Sequence, residues 1–375
     1  MSSRSGAWSE GVGQEPNNLL AVESLSPHRT LRFGRHLELF LTEHYSHRSQ
    51  DPTSRHEADV LEVPQFPELM PEETMRLLDA GRAADGGRPP ETIAVGETTI
   101  PNFRKDEPPH TLLGPAQKAW FLERLRASTA TWKVWGNSLG TLDWRADPQN
   151  LPAGLTRPWP GKGYAIYGGG GDWATVYTER AEIYDAVREA GITGFVTVSG
   201  DRHSFWAGLS ANALPPAAFE PVGVAFVTGS ISAPGLVEAY EHRFPKDHPL
   251  RALYVADVRG QQQPAINLLL RHGVRSCLEY QRTGDLASAL RVLNPDVAPH
   301  LRFLDMGGHG YAALQVAAEA ARCDFLCIPR PLERSAGPDG GPLRYRISHR
   351  VPLWKKGETP QLERGPSEGD FGLSG

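Results

Sequence analysis

The segment of this chain best equipped for chemistry is Gly200-Asp201-Arg202-His203-Ser204-Phe205-Trp206. It follows the apolar run 192–198, so a carboxylate and an imidazole stand two residues apart where the backbone leaves a buried strand. In an open α/β sheet, ligands collect outside the carboxyl ends of the strands. Asp and His both ligate metals, and this spacing lets the two side chains lean into one crevice. The elements that must position them are legible. Residues 179–190 read as a helix, with Ile183 and Val187 four apart and Tyr184 beside them. Gly191 reads as its stop, and Phe195-Val196-Thr197-Val198 as the next strand.

A second strand end lies upstream. Gly114-Pro115 opens a helix with proline at its first position, and Phe121, Leu122 and Leu125 form its apolar stripe. Residues 130–135 then read as a strand ending at Gly136-Asn137-Ser138. Two chemistries compete for these groups. Gly136-Asn137-Ser138-Leu139-Gly140 matches the nucleophile elbow of α/β-hydrolases, and Asp201 and His309 follow in the required order. Acyl transfer would use Ser138 as nucleophile and His309 as base. The elbow needs a helix straight after its serine, however, and residues 142–150 are broken by Pro148 and Asn150. Ser138 therefore reads as a loop serine. The alternative is phosphoester hydrolysis assisted by two cations ~3.5–4 Å apart, which needs no side-chain nucleophile. It needs Asp, Asn and His at the ends of neighbouring strands, and Asn137, Asp201 and His203 supply them as candidate catalytic and metal-ligating residues. Asn137 can equally be a plain turn residue.

Composition narrows the class. The 375 residues are 39% hydrophobic and 22% charged, which predicts a folded soluble protein and not wholesale disorder. The net charge is −5 and no basic run exceeds Lys355-Lys356, so no nucleic-acid footprint is present. The three cysteines, Cys277, Cys323 and Cys327, form no disulfide framework, and the last two lie on an apolar run. No stretch approaches the ~20 apolar residues of a membrane span. Residues 1–18 lack the apolar stretch of a signal peptide, so the chain as it stands is expected to be cytoplasmic.

The remaining organisation is coarser. Residues 1–28 read as a polar tail, 31–42 as two strands around Gly34, and 82–112 as a long surface loop. Four glycines at 168–171 lack the flanking strand and helix of a phosphate-binding loop. Residues 222–231 read as a strand, and 265–272 and 285–293 as helices. Residues 301–305 and 311–316 read as a hairpin around Gly307-Gly308-His309-Gly310, 324–328 as the last strand, and 334–375 as a loop-rich tail.

Taken in order, several of these segments resemble the PhoD-like alkaline phosphatases, within the calcineurin-like metallophosphoesterases. They are Gln117-Lys118-Ala119-Trp120-Phe121, Ser128-Thr129-Ala130-Thr131-Trp132-Lys133-Val134, Asp172-Trp173 with the helix 177–183, and Ser199 followed by the motif above. The resemblance runs from about residue 31 to about residue 333. It implies an α/β fold of the calcineurin-like metallophosphatase kind, a two-sheet β-sandwich flanked by helices, in a domain spanning 29–333. It also implies hydrolysis of phosphate monoesters and diesters by a metal-activated water. Asp201 and His203 would be metal ligands, Asn137 a ligand or phosphate contact, and His309 peripheral. The implied metals are Ca2+ and Fe3+, and the implied partner is a small phosphoester, not nucleic acid or a membrane.

The departures carry expectations too. The family's first ligands precede the region matched by Leu31-Arg32-Phe33-Gly34, where this chain has about 30 tail-like residues. An N-terminally incomplete domain with half of its dinuclear site is therefore expected, catalytically impaired or reduced to a binding role. At Thr42-Glu43-His44-Tyr45-Ser46-His47-Arg48 only Arg48 matches the family's Asp-x-Arg-x-Tyr-Arg pattern. Family members are often exported, so any leader would lie in the upstream part.

Overall fold

The computed structural model describes residues 8–9, 12–13, 16–18, 20, 25–61, 66, 68–167, 171–258, 260–334, 337 and 341–374. Most of the expected polar tail, and Gly168 to Gly170 of the glycine run, lie outside these residues.

Seven strands form the main sheet: β1 (Arg29–Phe33), β2 (Leu37–Leu41), β3 (Trp132–Gly136), β4 (Phe195–Ser199), β5 (Phe205–Ala211), β6 (Pro221–Val227) and β7 (Leu301–Asp305). Their spatial order is β7-β5-β6-β4-β3-β2-β1. The centre, β2-β3-β4-β6, is parallel. The flanks are antiparallel: β1 on β2, and β5 on both β6 and β7. Strands buried on both faces read as continuous apolar runs, which is why β3 and β4 are visible in the sequence. Gly34, with φ +58°, makes the turn between β1 and β2. One face of β3 is covered by helix α1 (Gly114–Ala127), where the Phe121 ring lies 5.0 Å from that of Trp135. Helix α2 (Tyr177–Glu189) lies beside α1, and Asp79 starts it by accepting from Thr178 N at 2.7 Å. Among the described residues no helix is long and apolar enough to cross a membrane.

A second, antiparallel sheet runs β8 (His309–Val316), β9 (Ala320–Ile328), β10 (Tyr345–Pro352) and β11 (Glu363–Gly369). Alternate residues of β9, from Ala321 to Cys327, are buried against the main sheet. Phe325 stacks on Phe205 at 4.9 Å and meets Phe303 at 5.8 Å. The two-sheet sandwich with flanking helices is therefore present.

Three local readings need correction. β7 and β8 do not form a hairpin: β7 pairs with β5 in the main sheet and β8 with β9 in the second. Gly307 and Gly308 carry the chain between sheets instead, and a Cβ at Gly308 would collide with the Phe205 ring. Part of the expected C-terminal tail forms β10 and β11. In β10, Tyr345, Ile347, His349 and Val351 are buried at period two, a strand signal masked by the surrounding Pro and Gly. The loop 82–112 contains a small hairpin, Thr92–Val95 on Thr98–Pro101.

Gly194 turns the chain from α2 into β4 at φ +65°, and a Cβ there would collide with Thr131 O. Gly194→Ala is expected to cost more than ~1 kcal/mol and to lower the melting temperature by several degrees in a thermal melt.

Candidate functional site

The chain rises through β4, crosses the carboxyl end of β6 in the turn 200–204, and descends through β5. Within that turn Asp201 and His203 adopt left-handed backbone, φ +67° and +49°. This conformation is costly for side chains other than glycine, although Asp tolerates it better than most. Ser204 Oγ bonds back to Arg202 O at 2.6 Å and receives Trp206 Nε1–H at 2.7 Å, so the turn is tied to the start of β5. Arg202 is buried, whereas Asp201 and His203 are exposed.

The two exposed groups line a cavity of about 220 Å³ with Arg202, Trp144, Tyr167, Asp172, Thr175 and Leu236. His203 Nδ1 lies 2.8 Å from Pro234 O. A carbonyl can only accept, so Nδ1 carries the proton and the neutral ring keeps its lone pair on Nε2. The Asp201 carboxyl is pushed above its usual range by burial first and by the Asp172 charge second, against the pull of His203 and Arg202.

Asn137 stands at the end of β3 and lines a different cavity. That space, about 710 Å³, lies between the sheets and is walled by aliphatic groups including Leu39, Val134, Val198 and Leu314. Asn137 Oδ1 accepts from Leu139 N at 3.0 Å, while Nδ2 is buried with no partner. The structure thus brings Asp201 and His203 together and sets Asn137 at the neighbouring strand end. Ser138 is exposed, and its backbone N–H points to His44 Nδ1 at 3.5 Å. No helix follows it before the short turn Pro148–Asn150. His309 is buried and bonded to Glu238 Oε1 at 2.9 Å, an oxygen that also takes Arg330 Nε at 2.7 Å. No hydrogen bond joins any two of Ser138, Asp201 and His309, so the elbow reading has no support in the geometry.

Three groups were missed in the sequence. Arg202 pairs with Asp172 in two bonds, Nε to Oδ2 at 2.8 Å and Nη2 to Oδ1 at 2.9 Å. His44 is fully buried, 3.3 Å from Thr42 Oγ1 and edge-on to Trp173. Asp172 and Arg202 sit 30 residues apart, and nothing in local pattern links them. His44 follows the apolar β2, where a lone histidine carries no signal.

A metal would find two donors here, the Asp201 carboxylate and His203 Nε2. Among the described residues no group of three or more His, Cys, Asp or Glu is placed to hold an ion. Two such donors fit one exchangeable cation whose remaining ligands are water and substrate oxygens. They do not by themselves fill a closed dinuclear site.

Burial pushes His44, His110, His272, His300 and His349 down to about 4, each from 6.5. A depressed folded-state value contributes stability above pH 6.5 that is lost as pH falls toward 4. Asp79 acts oppositely: burial raises it to about 7, so its stabilisation is present below 3.8 and lost as pH rises through 7. The histidines outnumber it. Urea unfolding is expected to show a loss of a few kcal/mol between pH 7 and pH 5, steeper in Asp79→Asn.

The sequence profile of the PhoD-like phosphatases matches residues 12–268. A solved structure of PhoD superposes with a TM-score of 0.51 at 15% identity, covering 93% of this chain and 46% of that one. The chain therefore spans about half the length of that structure, and at this identity the likeness bears on the fold. No curated protein matches the chain.

Proposed function

The chain belongs to the PhoD-like phosphatase family, and from that premise we propose that it hydrolyses phosphate monoesters and diesters at the turn 200–204. The observation that carries this reading is the outward pairing of Asp201 and His203 over one cavity, with His203 Nδ1 committed to Pro234 O. Asp201 and His203 Nε2 would hold a divalent cation, which when bound supplies a nucleophilic hydroxide at neutral pH and a positive charge for phosphoryl oxygens. The Pro234 carbonyl fixes the tautomer that leaves Nε2 free. Asn137 opens onto the other cavity, so this reading gives it no contact with the reacting group at the turn 200–204. Trp144, Tyr167 and Leu236 form an apolar wall that would shield the reacting group from bulk water. The Ca2+ and Fe3+ pair implied by the resemblance needs ligands beyond these two side chains.

A second reading, a family fold acting through binding without turnover, is favoured by the count of two donors. Hydrolysis of p-nitrophenyl phosphate and bis(p-nitrophenyl) phosphate separates the two. Catalysis predicts activity that chelation abolishes and Ca2+, Mn2+ or iron restores. No turnover with any cation, or turnover indifferent to chelator, contradicts it.

A further inference from the structure

Arg202 lies between the two proposed ligands and lines the same cavity, but it is buried where they are exposed. It is the middle residue of the turn, so where its guanidinium is held bears on the backbone of both neighbours. It is held at Nε and Nη2, while Nη1 is buried with no partner. The guanidinium makes the paired bonds to Asp172, and Nη2 also donates to Leu142 O at 2.6 Å. Its carbon lies 4.9 Å from the Trp144 ring centre and 4.7 Å from that of Trp206. Gly140 leaves room for it: a Cβ at that position would collide with Arg202 Nε. Asp172 is anchored in turn, accepting from Ala174 N at 2.6 Å at the start of the short helix Trp173–Thr175.

We propose that Arg202, clamped by Asp172 in the slot over Gly140, is a positioning residue that holds Asp201 and His203 in their left-handed, outward-facing geometry. This rests on the reading of the site given above. At 3% exposure, with Nε and Nη2 engaged by Asp172 and Leu142 O, Arg202 offers a substrate little surface. Its effect is exerted through the backbone: release of the guanidinium lets residues 201 and 203 relax toward ordinary φ and swings the two donors apart. Groups that orient a metal ligand typically change affinity about 10–100-fold when removed, and a comparable loss is expected here.

Two readouts test this in wild type, Arg202→Lys, Arg202→Met and Asp172→Asn, each first checked for a cooperative melt. One is the Mn2+ dissociation constant by electron paramagnetic resonance. The other, independent of any metal, is the His203 Nδ1–H proton resonance, assigned by its loss in His203→Gln. The expected result is a resonance protected in wild type and exchange-broadened in all three variants, with Mn2+ bound about 10–100-fold more weakly. Folded variants that keep both the resonance and wild-type Mn2+ affinity overturn the proposal. A resonance that responds as expected in a wild-type protein without Mn2+ affinity upholds the positioning role and removes the metal reading instead. Should the Met variant fail to melt cooperatively, the Lys and Asn variants make the same comparison with less disturbance.

Discussion

Arg180→Met is expected to lose about 3–5 kcal/mol of stability, the cost of leaving a buried partner charge uncompensated. The Arg180 side chain is 1% exposed and that of Asp143 9%, and Nη2 meets Oδ1 at 2.7 Å while Nη1 donates to Thr141 O at 3.0 Å. Burial by itself would raise the Asp143 carboxyl; the attraction of Arg180, with help from His300 and Arg76, outweighs it and holds the group below its usual range. Without Arg180 the largest opposition to that desolvation is gone. The damage reaches the site as well, because the segment fixed by Thr141 and Asp143 carries Gly140, Leu142 and Trp144, the three residues against which Arg202 rests. Replacing both partners by apolar residues, Arg180→Met with Asp143→Leu, should recover most of the loss. Urea unfolding at pH 7 makes the comparison. A single mutant within ~1 kcal/mol of wild type would mean that water already reaches the pair.

Asp201→Asn is expected to reduce phosphoester hydrolysis by about 10³-fold, roughly 4 kcal/mol of transition-state stabilisation, while leaving the fold intact. Asparagine is the informative substitution because it accepts the φ of +67° that alanine would resist. Asp201 is exposed, so little packing is lost with its charge. His203→Asn respects φ +49° in the same way and should match the loss, since it removes the other donor. Melting temperatures within a few degrees of wild type, beside the loss of turnover, would assign both effects to the site. Equal turnover in wild type and either variant would place the chemistry elsewhere.

Much of the scaffold was readable because it obeys local rules. β3 and β4 are continuous apolar runs, α1 begins with proline, and α2 ends at Gly191 with φ +63°. Where pairing is set by distant partners, local rules fail. Nothing near Gly307 says that the strands on either side belong to different sheets; the choice is made by the burial of Phe303 and Phe325 against each other. β10 was hidden because Pro, Gly and charge dominate its surroundings, although its own alternation is regular. At the site, types and spacing exposed Asp201 and His203, but not their outward direction, which depends on two left-handed residues and on Asp172, 30 positions upstream. Asn137 was found for its place at a strand end, while its opening onto the larger, aliphatic cavity depends on how the second sheet packs.

The measurement closest to the central claim is metal content by elemental analysis, on purified protein equilibrated with divalent cations and then dialysed, beside Asp201→Asn and His203→Asn. Retention of a cation by the parent chain and its loss in both variants is the predicted result. A parent chain that retains no metal, or variants that retain as much as the parent, would contradict the assignment of Asp201 and His203 as the metal-holding pair.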